Sequence, residues 1–183
     1  MPDTIRLDVT RGEFEQLYRE HAGAVLGYAR RRTTREAADD VVADVFMVAW
    51  RRVDDVPAEP LPWLLGVARK VLANQRRGEH RGAELRDRIR GQQISGVGAA
   101  LSDDGPSPAV RALWSLGASD QELLMLIAWD RLTRAQAAEA LGISVGTLAV
   151  RLHRARGRLA QARAAIGDAD PAHDRASVME ATQ

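Results

Sequence analysis

Apolar residues recur at helical spacing along nearly the whole chain, and no stretch alternates apolar and polar as a half-buried strand would. Thr10 and Glu13 have the spacing of a capping box. After them Phe14, Leu17, Tyr18, Val25 and Leu26 predict a helix to about Arg32. A second helix, from about Thr34 to Val53, places Val41, Val42, Val45, Phe46, Ala49 and Val53 on one stripe, with Asp39, Asp40 and Asp44 leaning away from it. Pro57, Pro60 and Pro62 interrupt the period, and Pro62 can open a third helix whose inward stripe is Leu64, Val67, Ala68, Val71 and Leu72. From Gly91 to Pro108 the period is lost among Gly, Ser and Pro, which predicts a flexible linker.

Helical patterning resumes at Ala109 to Leu116. Ser119 with Glu122 is expected to cap a helix carrying Leu123, Leu124, Leu126, Ile127 and Trp129. Thr133 with Gln136 caps a short helix that holds Ala137, Ala138 and Leu141 and stops at Gly142, and Ser144 then caps a last long helix. The expected fold is all-α, two small helical domains joined by a flexible linker. Its boundaries are 11–90, a linker over 91–108, a second domain over 109–165 and a disordered tail over 166–183.

Charge divides along the same lines. The formal net charge of the 183 residues is only +1. Yet residues 36–59 hold seven acids against two arginines, whereas 61–90 hold eight bases against three acids and 131–163 seven arginines against one acid. Lys70 is the only lysine, so nearly all the positive charge is guanidinium, which suits bidentate binding of phosphates and guanine edges. With no cysteine, disulfides, thiol catalysis and thiolate-held metals are excluded. No apolar run approaches the roughly 18 residues that cross a bilayer, and Asp3 and Asp8 do not suit a secretion signal, so no membrane insertion and a cytoplasmic location are expected.

The segment LTRAQAAEALGISVGTLAVRLHRARGR, from Leu132, has the layout of a helix-turn-helix: a short helix, a glycine-centred turn and a cationic second helix. Leu148 and Leu152 face inward, and Thr147, Val150, Arg151, His153, Arg154 and Arg158 face outward. A solvated basic face would explain the arginines but not the capped turn between two helices. His153 has no acidic partner at ligand spacing, and Asp39, Asp40 and Asp44 diverge around their helix, so no metal, cofactor or catalytic group is assigned. The acidic helix reads as a docking face. A metal-dependent nuclease or hydrolase built on those carboxylates is one rival reading, and a stand-alone dimeric DNA-binding regulator the other.

Three strings, in this order, resemble the extracytoplasmic-function (ECF) group of bacterial RNA polymerase sigma factors: ADDVVADVFMVAWRR (Ala38 to Arg52), PWLLGVARKVLANQRR (Pro62 to Arg77) and GISVGTLAVRLHRARGRL (Gly142 to Leu159). The resemblance implies a non-enzymatic factor that binds core RNA polymerase and directs promoter-specific initiation. It implies docking on the clamp helices of the largest catalytic subunit through Asp40, Val41, Asp44 and Phe46. It implies capture of the opened minus-10 strand by the third helix and the loop before it, with Trp63, Arg69, Lys70, Asn74, Arg76 and Arg77 as candidates. Minus-35 recognition then falls to Arg134, Thr147, Ala149, Val150, Arg151, His153, Arg154 and Arg158. An anti-sigma partner is also implied, as is a linker reaching toward the polymerase active centre with Asp103 and Asp104. The sequence departs from the family pattern at Ala43, at Ala149 and Val150, and at Gly117 to Ser119, where Ser119 is expected to supply the missing cap.

Overall fold

The computed structural model describes residues 3–87 and 107–168. Every regular element among them is helical: α1 (Asp3–Arg30), α2 (Arg35–Arg51), a 3-10 turn (Val53–Asp55), α3 (Pro60–Asp87), α4 (Pro108–Trp114), α5 (Ala118–Ala128), α6 (Arg134–Leu141) and α7 (Val145–Asp168). The chain divides into two compact units, the first built on α1, α2 and α3 and the second on α4, α5 and α7.

In the first unit each helix packs on the other two. The stripe predicted on α2 is its buried face: Val41, Val45 and Ala49 are fully buried and Val42 and Phe46 nearly so. They meet Val25, Tyr28 and Ala29 of α1 and Leu64, Leu65, Ala68 and Leu72 of α3 in the same core. Leu65, outside the expected stripe, is buried as well, and Val67 and Val71 are only half-buried. An edge-on aromatic cluster closes one end, with Phe46 against Phe14 (6.2 Å) and Tyr18 (4.7 Å) and Phe14 against Trp50 (5.0 Å).

The end of α1 is fastened by guanidinium groups. Arg32, 6% exposed, lies 3.6 Å over the ring of Tyr28 and donates to the Tyr28 carbonyl at 3.1 Å. Arg76 of α3 donates to the carbonyl of Arg32 at 3.0 Å, so a carbonyl just past the last turn of α1 is satisfied from another helix. Thr34 then caps α2, accepting from the Ala37 amide.

In the second unit α7 packs on α4 and α5, through Leu148, Leu152 and Ala155 on its buried face. Ser107 caps α4 and Pro108 occupies its first turn. The capping box of α6 closes in both directions, the Thr133 amide donating to the Gln136 side chain (2.9 Å) and the Gln136 amide to the Thr133 hydroxyl (3.3 Å). Ser144 accepts from the Thr147 amide at 3.1 Å and caps α7. Between them Gly142, at φ 67°, takes the left-handed conformation that ends α6.

Several boundaries differ from expectation. Helix α1 begins at Asp3, so Thr10 lies inside it and starts nothing; a capping-box spacing does not prevent an upstream turn from continuing into it. Helix α3 begins at Pro60, not Pro62, since a proline fits anywhere in a first turn that needs no amide. Helix α5 begins at Ala118 after Gly117, with no side-chain cap, so Ser119 sits inside the first turn. The linker gives up Ser107 and Pro108 to α4, and α7 extends into the expected tail as far as Asp168. Residues 91–106, with Asp103 and Asp104, and residues 169–183 lie outside the described residues.

Replacing Gly142 by alanine forces a Cβ into the left-handed region and should destabilise the α6–α7 turn by about 1 to 2 kcal/mol. Hydrogen exchange of the first amides of α7 should quicken accordingly, and unchanged protection would contradict the assignment of that turn as a φ-restricted stop.

Candidate functional site

Because an α-helix advances about 100° per residue, each buried stripe dictates which side chains share the opposite face. On α2 that outward face holds Glu36, Asp40, Ala43, Asp44 and Met47, all exposed. Asp40 and Asp44, four apart, form an acidic pair. Val41 and Phe46, also expected to meet a partner, lie in the core instead at 0% and 3% exposure and serve to hold α2 in place. The accessible apolar surface beside the acids comes from Met47 (50% exposed) and, at the flank, Trp50 (44%). Their spacing of seven and ten residues from Asp40 puts them on the acid side of the helix, a signal present in the sequence itself.

The six candidates on α3 divide between two faces. Trp63, Lys70, Asn74 and Arg77 fall at intervals of seven, four and three, one stripe turned away from the buried Leu64, Leu65, Ala68 and Leu72. Lys70, Asn74 and Arg77 are exposed. Arg77 donates to the Asn74 side-chain oxygen and to the Ala73 carbonyl (3.2 Å), which fixes the amide and guanidinium relative to each other. Trp63 is half-buried with the Arg52 guanidinium 5.8 Å from its ring centroid. Arg69 and Arg76, seven apart, stand more than 90° around the helix from this stripe. Arg69 is half-buried, and Arg76 is engaged with the end of α1.

On α7 all seven predicted residues are exposed. Thr147, Arg151, Arg154 and Arg158 line one edge, Val150 and His153 lie opposite the buried leucines, and Ala149 is on the other flank. Val150, 52% exposed, offers an uncovered apolar surface in the middle of this cationic helix. Arg134 is the first residue of α6 and is exposed. Two members of the set have other partners. The Thr147 hydroxyl is 2.9 Å from that of Ser144. Arg158 forms a bidentate pair with Asp120 of α5, Nη2 donating to Oδ1 at 2.8 Å and Nε to Oδ2. The hydrogen bond to Asp120 raises the Arg158 pKa above its ordinary value, with desolvation opposing and the carboxylate charge adding to the rise. Arg158 therefore reaches solvent with its charge already answered, whereas Arg151 and Arg154 display theirs.

The described residues contain no group of three or more His, Asp or Glu placed to hold a metal ion, and no helix among them is long and apolar enough to cross a membrane. What they do contain is three outward faces of distinct chemistry: acidic with exposed apolar neighbours on α2, cationic and amide-bearing on α3, and cationic with an apolar centre on α7.

Residues 17–82 match the Sigma-70 region 2 family and residues 109–159 the Sigma-70, region 4 family. The chain is 31% identical to the ECF RNA polymerase sigma factor SigL of Mycobacterium tuberculosis over 149 residues, 76% of this chain and 82% of SigL. It is also 31% identical to the RNA polymerase sigma factor CnrH of Cupriavidus metallidurans over 175 residues, 86% of this chain and 87% of CnrH. The fold resembles the solved structure of the sigma factor RpoE in complex with the anti-sigma factor NepR from Bartonella quintana, with a TM-score of 0.65 and 26% identity over 82% of this chain and 96% of that one. Two region matches in the order and positions of the two helical units, with relatives aligned across both, place the chain in the extracytoplasmic-function group of bacterial RNA polymerase sigma factors.

Proposed function

We propose that this sigma factor divides promoter-directed initiation among its three outward faces, with the first domain spanning 11–90, a linker over 91–108 and the second domain over 109–165. The observation that carries the reading is the separation of charge by helix: the exposed acids of α2 stand on one element and the exposed cations of α3 and α7 on others. A regulator acting alone would leave the α2 face without a task.

On this reading α2 docks on core polymerase, at the clamp helices of its largest catalytic subunit. Asp40 and Asp44 orient the encounter opposite basic residues, and Met47 and Trp50 contribute the desolvated contact from which most affinity comes. Val41 and Phe46 act through the core that positions them. The stripe Trp63, Lys70, Asn74 and Arg77 follows the opened minus-10 strand, its cations tracking phosphates and its amide able to address a base edge. Arg76 supports that stripe from beneath by joining α3 to α1. Recognition of minus-35 falls to α7 in the major groove: Arg151 and Arg154 supply guanidinium donors, His153 a polar contact, and Val150 a surface suited to a thymine methyl. The chain carries no active site of its own, since bond formation belongs to the polymerase, and it works in the cytoplasm where that enzyme is. An anti-sigma factor that covers the acidic and cationic faces is a further expected partner, supported by the likeness to RpoE bound to NepR.

Reversing the acid pair with Asp40→Arg and Asp44→Arg should abolish co-purification with core polymerase while helical circular dichroism stays unchanged, both residues being exposed; retained association would remove α2 from the docking site. Arg154→Ala should weaken minus-35 binding and make its log–log salt slope shallower by about 0.9, the value of one phosphate contact. Arg158→Ala, already neutralised by Asp120, should leave that slope where it was; equal changes in the two variants would contradict the division between them. Lys70→Ala with Asn74→Ala should reduce permanganate-detected promoter opening far more than closed-complex formation, and a parallel loss in both would take the stripe off the opened strand.

A further inference from the structure

The chain leaves α5 through a left-handed turn. The Trp129 and Asp130 amides both donate to the Met125 carbonyl (2.9 and 3.0 Å) and the Leu132 amide to the Leu126 carbonyl (3.0 Å). Leu132 is thereby drawn into the core at 5% exposure. The residue between them, Arg131, sits at φ 56°, the only non-glycine residue with positive φ among those described. This conformation brings Cβ close to the following carbonyl and favours glycine. At the other left-handed position among the described residues, Gly142 at φ 67°, the chain does use glycine.

Nothing nearby compensates for the choice of arginine. Arg131 is exposed, and no hydrogen bond or ion pair engages its guanidinium among the described residues. A side chain kept in a disfavoured backbone conformation without local reward points to a task outside the fold. Its position indicates which. Two residues on, Thr133 caps α6, the first helix of the helix-turn-helix, and Arg134 is exposed at the start of that helix. In this motif the first helix crosses the sugar-phosphate backbone while the second enters the groove, so a cation in the turn leading into α6 lies at the level of phosphate rather than base edges.

We propose that Arg131 is a backbone-phosphate contact of the second domain, extending its DNA interface from α7 around to the α5–α6 turn. The inference rests on the reading of α6 and α7 as a DNA-binding unit and adds to it a residue that helical patterning does not mark. A phosphate contact from this turn contributes affinity and register but no sequence preference.

The test uses holoenzyme assembled from the full chain and core polymerase, with a promoter duplex selected from a random pool by the wild-type holoenzyme as the probe. Arg131→Gly relieves the backbone and removes the charge; Arg131→Asn removes the charge with a residue that tolerates the left-handed region; Arg131→Lys keeps the charge. Between about 50 and 200 mM salt the wild type and the lysine variant should lose about threefold more affinity than the glycine and asparagine variants, the effect of one phosphate contact. The glycine variant should also melt at a higher temperature than wild type. Equal salt slopes in all four proteins would overturn the proposal, as would a loss of binding to core polymerase measured without DNA, which would assign Arg131 to protein docking. Failure of the wild-type holoenzyme to enrich any duplex would remove the DNA-binding reading itself and this inference with it.

Discussion

Val41, Val45 and Ala49 on α2 and Leu148, Leu152 and Ala155 on α7 must be kept from water while the same helices present charge to it. In units of this size little apolar surface is spare, so each helix commits one stripe to the core and the helical period then decides where every charged side chain stands. Function follows from that commitment. Asp40 and Asp44 are available to a partner because Val41 and Val45 are not, and Arg151 and Arg154 are available because Leu148 and Leu152 are not.

The arginines illustrate how one residue type is used in two ways. Arg32 and Arg76 fasten the end of α1, and Arg158 ties α7 to α5 through Asp120. These guanidiniums satisfy carbonyls and a carboxylate that the fold would otherwise leave exposed or unanswered. Arg151 and Arg154 stand exposed on an outward face. A count of positive charge treats the two groups alike, yet only the second adds to the field that a phosphate backbone would meet.

Much of this was legible from the chain itself. The α2 stripe, the reciprocal Thr133–Gln136 cap, the Gly142 stop and the inward leucines of α7 are local features fixed within a few residues, and local pattern reports them faithfully. What escaped depends on contacts distant in sequence or on backbone angles. The Arg158–Asp120 pair joins residues 38 apart, and Arg131 adopts a conformation that its side chain disfavours. The division of the α3 candidates into two faces was available from the period alone, but a cluster of cations reads as one patch until the helix is drawn around its axis. The start of α1 was missed because a valid capping box does not require a helix to begin there.

The two helical units act together as the promoter-specifying part of a polymerase. The decisive measurement is run-off transcription with bacterial core polymerase, on templates from the organism's own promoter regions, with and without the purified chain. Discrete transcripts from a restricted set of templates are expected, and only when the chain is added. Transcription that is identical with and without it, under conditions in which another sigma factor restores initiation to the same core enzyme, would rule that role out.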